Sequence, residues 1–361
     1  MPARRAQLAR SHWTVVNLGL LLGFWGEGGP PAGLLETVRA AESLGYESVW
    51  TSEASGSDAL TPLAWIGAHT TTMRLGTCIM HMAARAPAAT AMAALSLDHL
   101  SGGRFVLGLG VSGPELVEGW YGQPFDPPLG RTRDYIEIVR RVLLRREPVE
   151  YRGRHLSLPL EGGSGLGRPF LSMVRPLRPD LPIVLAAEGP RNVALAREIG
   201  DGWIATSSSP HPDAHYRAAL AEGAARPGAR ATPASFEILG AVPLIADDDV
   251  EAAADRLRGL FATFIGGMGP SGRNFHYNAF VRMGYEGVAT QVRELWRAGR
   301  TREAAAAIPT AVVEQVALVG PVAKIREELV DWRRSLLTTL LVHVSPDVNA
   351  VRQVAEIVLG G

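Results

Sequence analysis

Glu53 and His81 are the side chains best placed to do chemistry, because each follows a short apolar run that could end at a binding cleft. A carboxylate or an imidazole at such a point can orient a ligand or move a proton. Asp58 shares the polar segment with Glu53 but precedes the apolar run from Leu60, the usual place of a helix cap, so Glu53 alone is kept as a site candidate. His276 is a weaker counterpart of His81, and for both the competing reading is a structural histidine. A third candidate is Ala186-Ala187-Glu188-Gly189-Pro190-Arg191-Asn192, where an apolar run passes through a Gly-Pro turn into a helix. Unspent amides and the positive end of the helix dipole suit an anion there, and Arg191 adds charge, although ordinary strand-to-helix turns share the pattern. Gly108 to Gly113 has the spacing of a dinucleotide fingerprint. It stands fourth among the strands, lacks a later acidic ribose partner and precedes an early helix break, so the glycines are read as shaping a strand end. No metal-binding spacing appears, and no serine has the strand-to-helix context of a nucleophile elbow.

The elements that must position these groups alternate regularly. Strands are expected at Val15–Leu22, Ser48–Thr51, Leu75–Met80, Phe105–Leu109, Ile183–Ala187, Gly202–Thr206, Phe236–Ile245 and Leu336–Val344, with helices between them. That pattern predicts an α/β chain forming a single (β/α)8 TIM barrel, whose active site lies at the C-terminal strand ends. Two stretches leave the alternation. One is a Gly/Pro-rich surface excursion around residues 161–170, and the other is an insertion after strand seven, at about 266–308, with two short helical stretches.

At 361 residues the chain can bury a large core without staples, and its 36 basic and 36 acidic residues cancel. No whole-chain field therefore favours nucleic acid or an anionic membrane. The single cysteine, Cys78, fits a reducing, cytoplasmic setting. Residues 1–12 are expected to be a flexible leader and 13–361 the barrel domain. The apolar run after the leader is too short and too interrupted to span a bilayer.

LGTCIMHMAARAPAATAMAALSLDHLSGGRFVLGLGVSGP, followed by VEGWYGQPF, resembles the bacterial luciferase-like superfamily, in particular its coenzyme F420-dependent oxidoreductase branch. SLGYESVWTSEASGSDALTPLAW, LAAEGPRNVALAREIGDGW and the GGMG..NFH segment extend the likeness over nearly the whole chain after the leader. The resemblance implies a deazaflavin at the barrel mouth and hydride transfer to or from a small organic substrate. It implies that a non-prolyl cis peptide at Cys78-Ile79 supports the ring, that Val111, Ser112 and Gly113 contact it, and that Ala187, Glu188, Gly189 and Pro190 hold its phosphate. Ala54 and Gly113 stand where several members carry histidine and glutamate, so the substrates of those members do not transfer. Glu53 and His81 are then the expected catalytic groups. Alternatives left open are an FMN-dependent monooxygenase on the same barrel and a catalytically silent binding barrel, with a homodimer as the assembly left open.

Overall fold

A computed structural model of the chain describes residues 16–125, 128–210, 214–230, 235–269, 272–344 and 346–360. The expected leader, and Val15 at the start of the first expected strand, lie outside the described residues. Eight parallel strands close on themselves: β1 (Asn17–Gly23), β2 (Ser48–Thr51), β3 (Arg74–Thr77), β4 (Phe105–Gly110), β5 (Ile183–Ala186), β6 (Gly202–Ala205), β7 (Glu237–Ala246) and β8 (Thr339–His343). Closure runs through β8, which pairs with β7 at Leu239↔Thr339 and with β1 at Asn17↔Thr339. The chain is thus the (β/α)8 barrel that the alternation predicts.

Inside the barrel the core is a plug of side chains rather than a channel. Trp50 is fully buried at its centre with Leu21, Val106, Val184, Ile204, Leu239 and Leu341 around it. Its indole fits because two neighbours lack side chains: a Cβ at Gly76 would lie 2.2 Å from the ring, and one at Gly19 would lie 3.3 Å from the indole nitrogen. The strands' outer faces pack on the crossover helices in a larger apolar layer.

Three departures from the sequence reading affect the site. First, the run Leu75–Met80 is not one strand: β3 ends at Thr77, the Cys78–Ile79 peptide is cis, and a two-residue strand, Met80–His81, resumes pairing beside Leu109 and Gly110. Second, the excursion before β5 includes a hairpin, Tyr151–Arg152 with Ser157–Leu158. Third, the region beyond β7 is richer than two helical stretches. A helix Val250–Ala262 runs into a π-helical turn, Thr263–Gly267, and four helices follow: Phe275–Arg282, Glu286–Arg297, Thr301–Ala306 and Thr310–Glu314. They have their own apolar core around Phe261, Phe280, Val292 and Val313, which gives this region a fixed seat beside the barrel mouth. A short strand, Leu318–Gly320, then extends β7 on its outer side.

Candidate functional site

Above the plug lies a cleft of about 520 Å³, walled by the C-terminal ends of β1 to β6 and by the turn and helix start of the inserted region. Its floor comes from the interruption of strand three. Thr77 turns its side chain onto β4, where Thr77 Oγ1 donates to the Gly108 carbonyl at 2.7 Å and accepts from the Gly108 amide at 2.9 Å. A Cβ at Gly108 would sit 1.7 Å from the Thr77 carbonyl oxygen, and one at Gly110 would sit 2.6 Å from Ile79 Cδ1. The first two glycines of the apparent dinucleotide fingerprint therefore make room for the bulge, and Ile79 becomes an apolar shelf in the cleft.

Glu53 is buried beneath this shelf, and both of its oxygens are engaged. Arg85 Nη1 reaches them at 2.9 and 3.0 Å, the His81 amide donates to Oε1 at 2.9 Å, and the Ala59 amide donates to Oε2 at 3.2 Å. A carboxylate so saturated with donors is an organising charge rather than a free base. Asp58 accepts from the amides of Leu60 and Thr61 at 2.9 and 2.8 Å and so caps the next helix.

The tautomer of His81 follows from its partner. Its Nε2 lies 2.6 Å from the Glu53 carbonyl oxygen, which can only accept, so Nε2 carries the hydrogen and Nδ1 is a lone pair. That Nδ1 is buried and has no partner. Burial holds the imidazole's pKa below its usual range, against the opposing charge of Glu53, so the ring is neutral near pH 7. Tyr121 leans on it with ring centroids 5.7 Å apart.

His276 enters the cleft from the opposite side, on the helix Phe275–Arg282. Asn274 caps that helix through the Tyr277 amide and donates to the carbonyls of Phe264 and Ile265, tying it to the π-helical turn. The His276 ring stacks on Phe264 at 4.8 Å and 15°, and its Nδ1 is likewise buried without a partner. Burial lowers its pKa too, with Glu188 opposing.

At the third wall, Gly189 is the N-cap of the helix Pro190–Ile199, and nothing lies within 4 Å of where its Cβ would be. Ala187 and Glu188 line the cleft. Gly189, Pro190 and Arg191 are not in the lining, whereas Asn192, the last residue of the stretch singled out in the sequence, is, together with Thr206, which sequence reasoning missed. The Glu188 carboxylate accepts from the Thr206 hydroxyl, from the Ser207 amide at 3.0 Å and from Tyr216 OH at 3.3 Å. At the fourth wall, Val111, Ser112 and Gly113 continue β4, with Ser112 in the left-handed region at φ 60°. Cys78 also lines the cleft. Burial pushes its thiol up to about 12, so it stays protonated.

The cleft thus offers an apolar shelf, two neutral imidazoles and a helix start, a set that suits a flat ring carrying an anionic tail. Among the described residues no cluster of side chains could hold a metal ion, and no helix is long and apolar enough to cross a membrane.

The fold and much of the sequence recur in known proteins. A protein of Mycobacterium tuberculosis named as a coenzyme F420-dependent oxidoreductase is 48% identical over 345 residues, covering 95% of this chain and 99% of the relative. The solved coenzyme F420-dependent tetrahydromethanopterin reductase of Methanopyrus kandleri superposes with a TM-score of 0.79 at 21% identity, over 96% of this chain and 99% of that one. The FMN-bound oxygenating component of 3,6-diketocamphane monooxygenase from Pseudomonas putida has the same fold, with a TM-score of 0.62 at 17% identity over 95% and 97% of the two chains. Residues 20–339 match the luciferase-like monooxygenase model, and with a relative that similar along almost its full length, the chain belongs to the luciferase-like family.

Proposed function

We propose that this protein is an oxidoreductase that moves a hydride between coenzyme F420 and a small organic substrate at the barrel mouth. The observation that carries the reading is the Ile79 shelf facing a helix start across an open cleft, in a chain 48% identical to a relative named for that cofactor. The coenzyme supplies a carbon that accepts or gives up hydride, so the protein's task is placement. Ile79 and Val111 support the ring. The first turn of the helix Pro190–Ile199, with the Asn192 side chain, receives the anionic tail. Gly113 leaves the fourth wall open, with only the Met268 carbonyl oxygen near its Cβ position, at 3.8 Å.

Proton handling falls to His81, whose bare Nδ1 can take a proton from a substrate hydroxyl or accept its hydrogen bond. Glu53 positions it and keeps its charge on Arg85. The inserted region seats Met268 and His276 over the opening and limits water. The activity belongs in the cytoplasm, where a buried cysteine persists as a thiol.

Titrating the purified chain in parallel with oxidised F420 and with FMN tests the cofactor. Saturable quenching of deazaflavin fluorescence, with FMN binding far more weakly, is expected. Tight FMN binding without F420 binding would turn the reading to the monooxygenase chemistry of the same barrel.

A further inference from the structure

The cleft walls hold three carboxylates, Glu53, Glu115 and Glu188, and among the described residues no arginine or lysine. Two guanidinium groups bonded to these glutamates are committed, while the exposed Arg191 is outside the lining. Arg85 is spent on Glu53, and Arg282 Nη2 donates to the Glu188 main-chain carbonyl at 2.7 Å and to Tyr216 OH at 3.1 Å. The Glu188 carboxylate is held by hydroxyls and an amide rather than by a cation, and Glu115 stands exposed on the rim. Most of the remaining wall is apolar, from Phe24, Ile79, Val111, Leu116, Met268 and Phe275. The buried polar atoms left without a partner in this wall are Nδ1 of His81 and Nδ1 of His276.

An anionic substrate would meet negative charge with no donor cation to offset its lost hydration, and the coenzyme's own tail adds more of the same sign. A hydroxyl or a protonated amine can instead donate to an imidazole lone pair and rest on an apolar wall. We infer that the site takes an uncharged or cationic, mainly apolar organic substrate and discriminates against phosphorylated and carboxylated ones. The inference rests on the reading of this cleft as the redox site, and it concerns the second ligand rather than the coenzyme.

Three probes of one shape separate the cases: benzyl alcohol, benzylamine, which is protonated at pH 7, and benzoate. Their binding is measured by quenching of bound deazaflavin in the loaded enzyme, and by ligand-observed NMR on the chain alone. Benzyl alcohol and benzylamine should bind at least about tenfold more tightly than benzoate in both forms, the ratio expected when one unit charge is placed near the Glu188 and Glu115 carboxylates. Met268→Lys should tighten benzoate relative to benzyl alcohol by about tenfold and Glu115→Lys by about threefold, because the rim charge is screened by solvent. Glu115 is exposed, so that variant keeps its fold. Benzoate binding as tightly as benzyl alcohol in either form overturns the inference, and so does failure of both other probes to bind. If the deazaflavin itself does not bind, the proposed function fails, while the ranking on the chain alone still decides the charge preference.

Discussion

Glu53 shows how a residue chosen for its chemistry can act through its neighbours. Its carboxylate balances Arg85 and fixes the His81 backbone, with Asp58 standing 3.9 Å from the same guanidinium. Glu53→Gln leaves that guanidinium, whose side chain is 24% exposed, with only the weaker Asp58 contact. Removing one partner of a buried pair costs about 3 to 5 kcal/mol, and partial solvation should bring the loss here to about 2 kcal/mol. Urea unfolding with an unchanged slope would measure it. Gly189→Asp should behave in the opposite way. Its Cβ has open space and its φ is −81°, so a carboxylate at this N-cap should stabilise the helix slightly while repelling an anionic tail. A melting temperature held or raised, together with coenzyme affinity lowered about tenfold, is the expected pair of results, and an unchanged affinity would remove this helix start from the site. Glu53, His81 and the Gly-Pro turn were legible in the sequence because polar residues at strand ends stand out against apolar runs. Thr206 and Met268 were not, since each needs the fold to show which wall it faces.

At the scale of elements, the site depends on strand three being broken where strand four has no side chains. The two glycines of β4 meet different obstacles, so they should fail differently. Gly108→Ala drives a methyl group against the Thr77 backbone oxygen, 1.7 Å from the ideal Cβ, and backbone cannot step aside cheaply. A loss of about 3 kcal/mol or more is expected, near the upper end for overpacking. Gly110→Ala meets side chains instead, chiefly the outer end of Ile79, with Cδ1 2.6 Å and Cγ1 3.1 Å away. It should cost about 1 kcal/mol of stability yet weaken coenzyme binding, because the displaced tip is the shelf. Parallel unfolding curves and F420 titrations of the two variants test this; equal effects on stability would mean that the bulge is not locked by Gly108. The barrel strands were readable from their apolar runs, but this break was not readable from periodicity, since Leu75–Met80 is uniformly apolar apart from Thr77. The resemblance to a known family placed it. Two-residue strands such as Tyr151–Arg152 carry no period at all. The inserted helices were undercounted because three of the four have eight residues or fewer.

The whole molecule should record its buried histidines in the pH dependence of its stability. His81 and His276 are 5% and 7% exposed, and burial holds both pKa values below the ordinary value of about 6.5. Between that value and the depressed ones the unfolded chain binds protons that the folded chain refuses. Stability is therefore complete above pH of about 6.5 and falls as the pH drops below it. Carboxylates act in a different window. Burial pushes Glu42 up, but the amides of Thr72, Met73 and Thr71 and the Thr72 hydroxyl together bring it down to about 2, so its contribution is lost only below the unfolded Glu range near about 4.3. A decline between about pH 7.5 and 5.5 is thus expected from the two cleft histidines, with His343, whose pKa burial also lowers, adding to it. Chemical denaturation across that range should show it, and the double variant His81→Gln/His276→Gln should flatten the slope. A slope unchanged in the double variant would mean that these rings already titrate freely in the folded protein, which their buried and unpartnered Nδ1 atoms argue against. The same neutral rings face the cleft, so hydride transfer that uses the His81 lone pair should persist at pH values where a solvent-exposed histidine is already protonated, and should fall away only as His81 gains its proton.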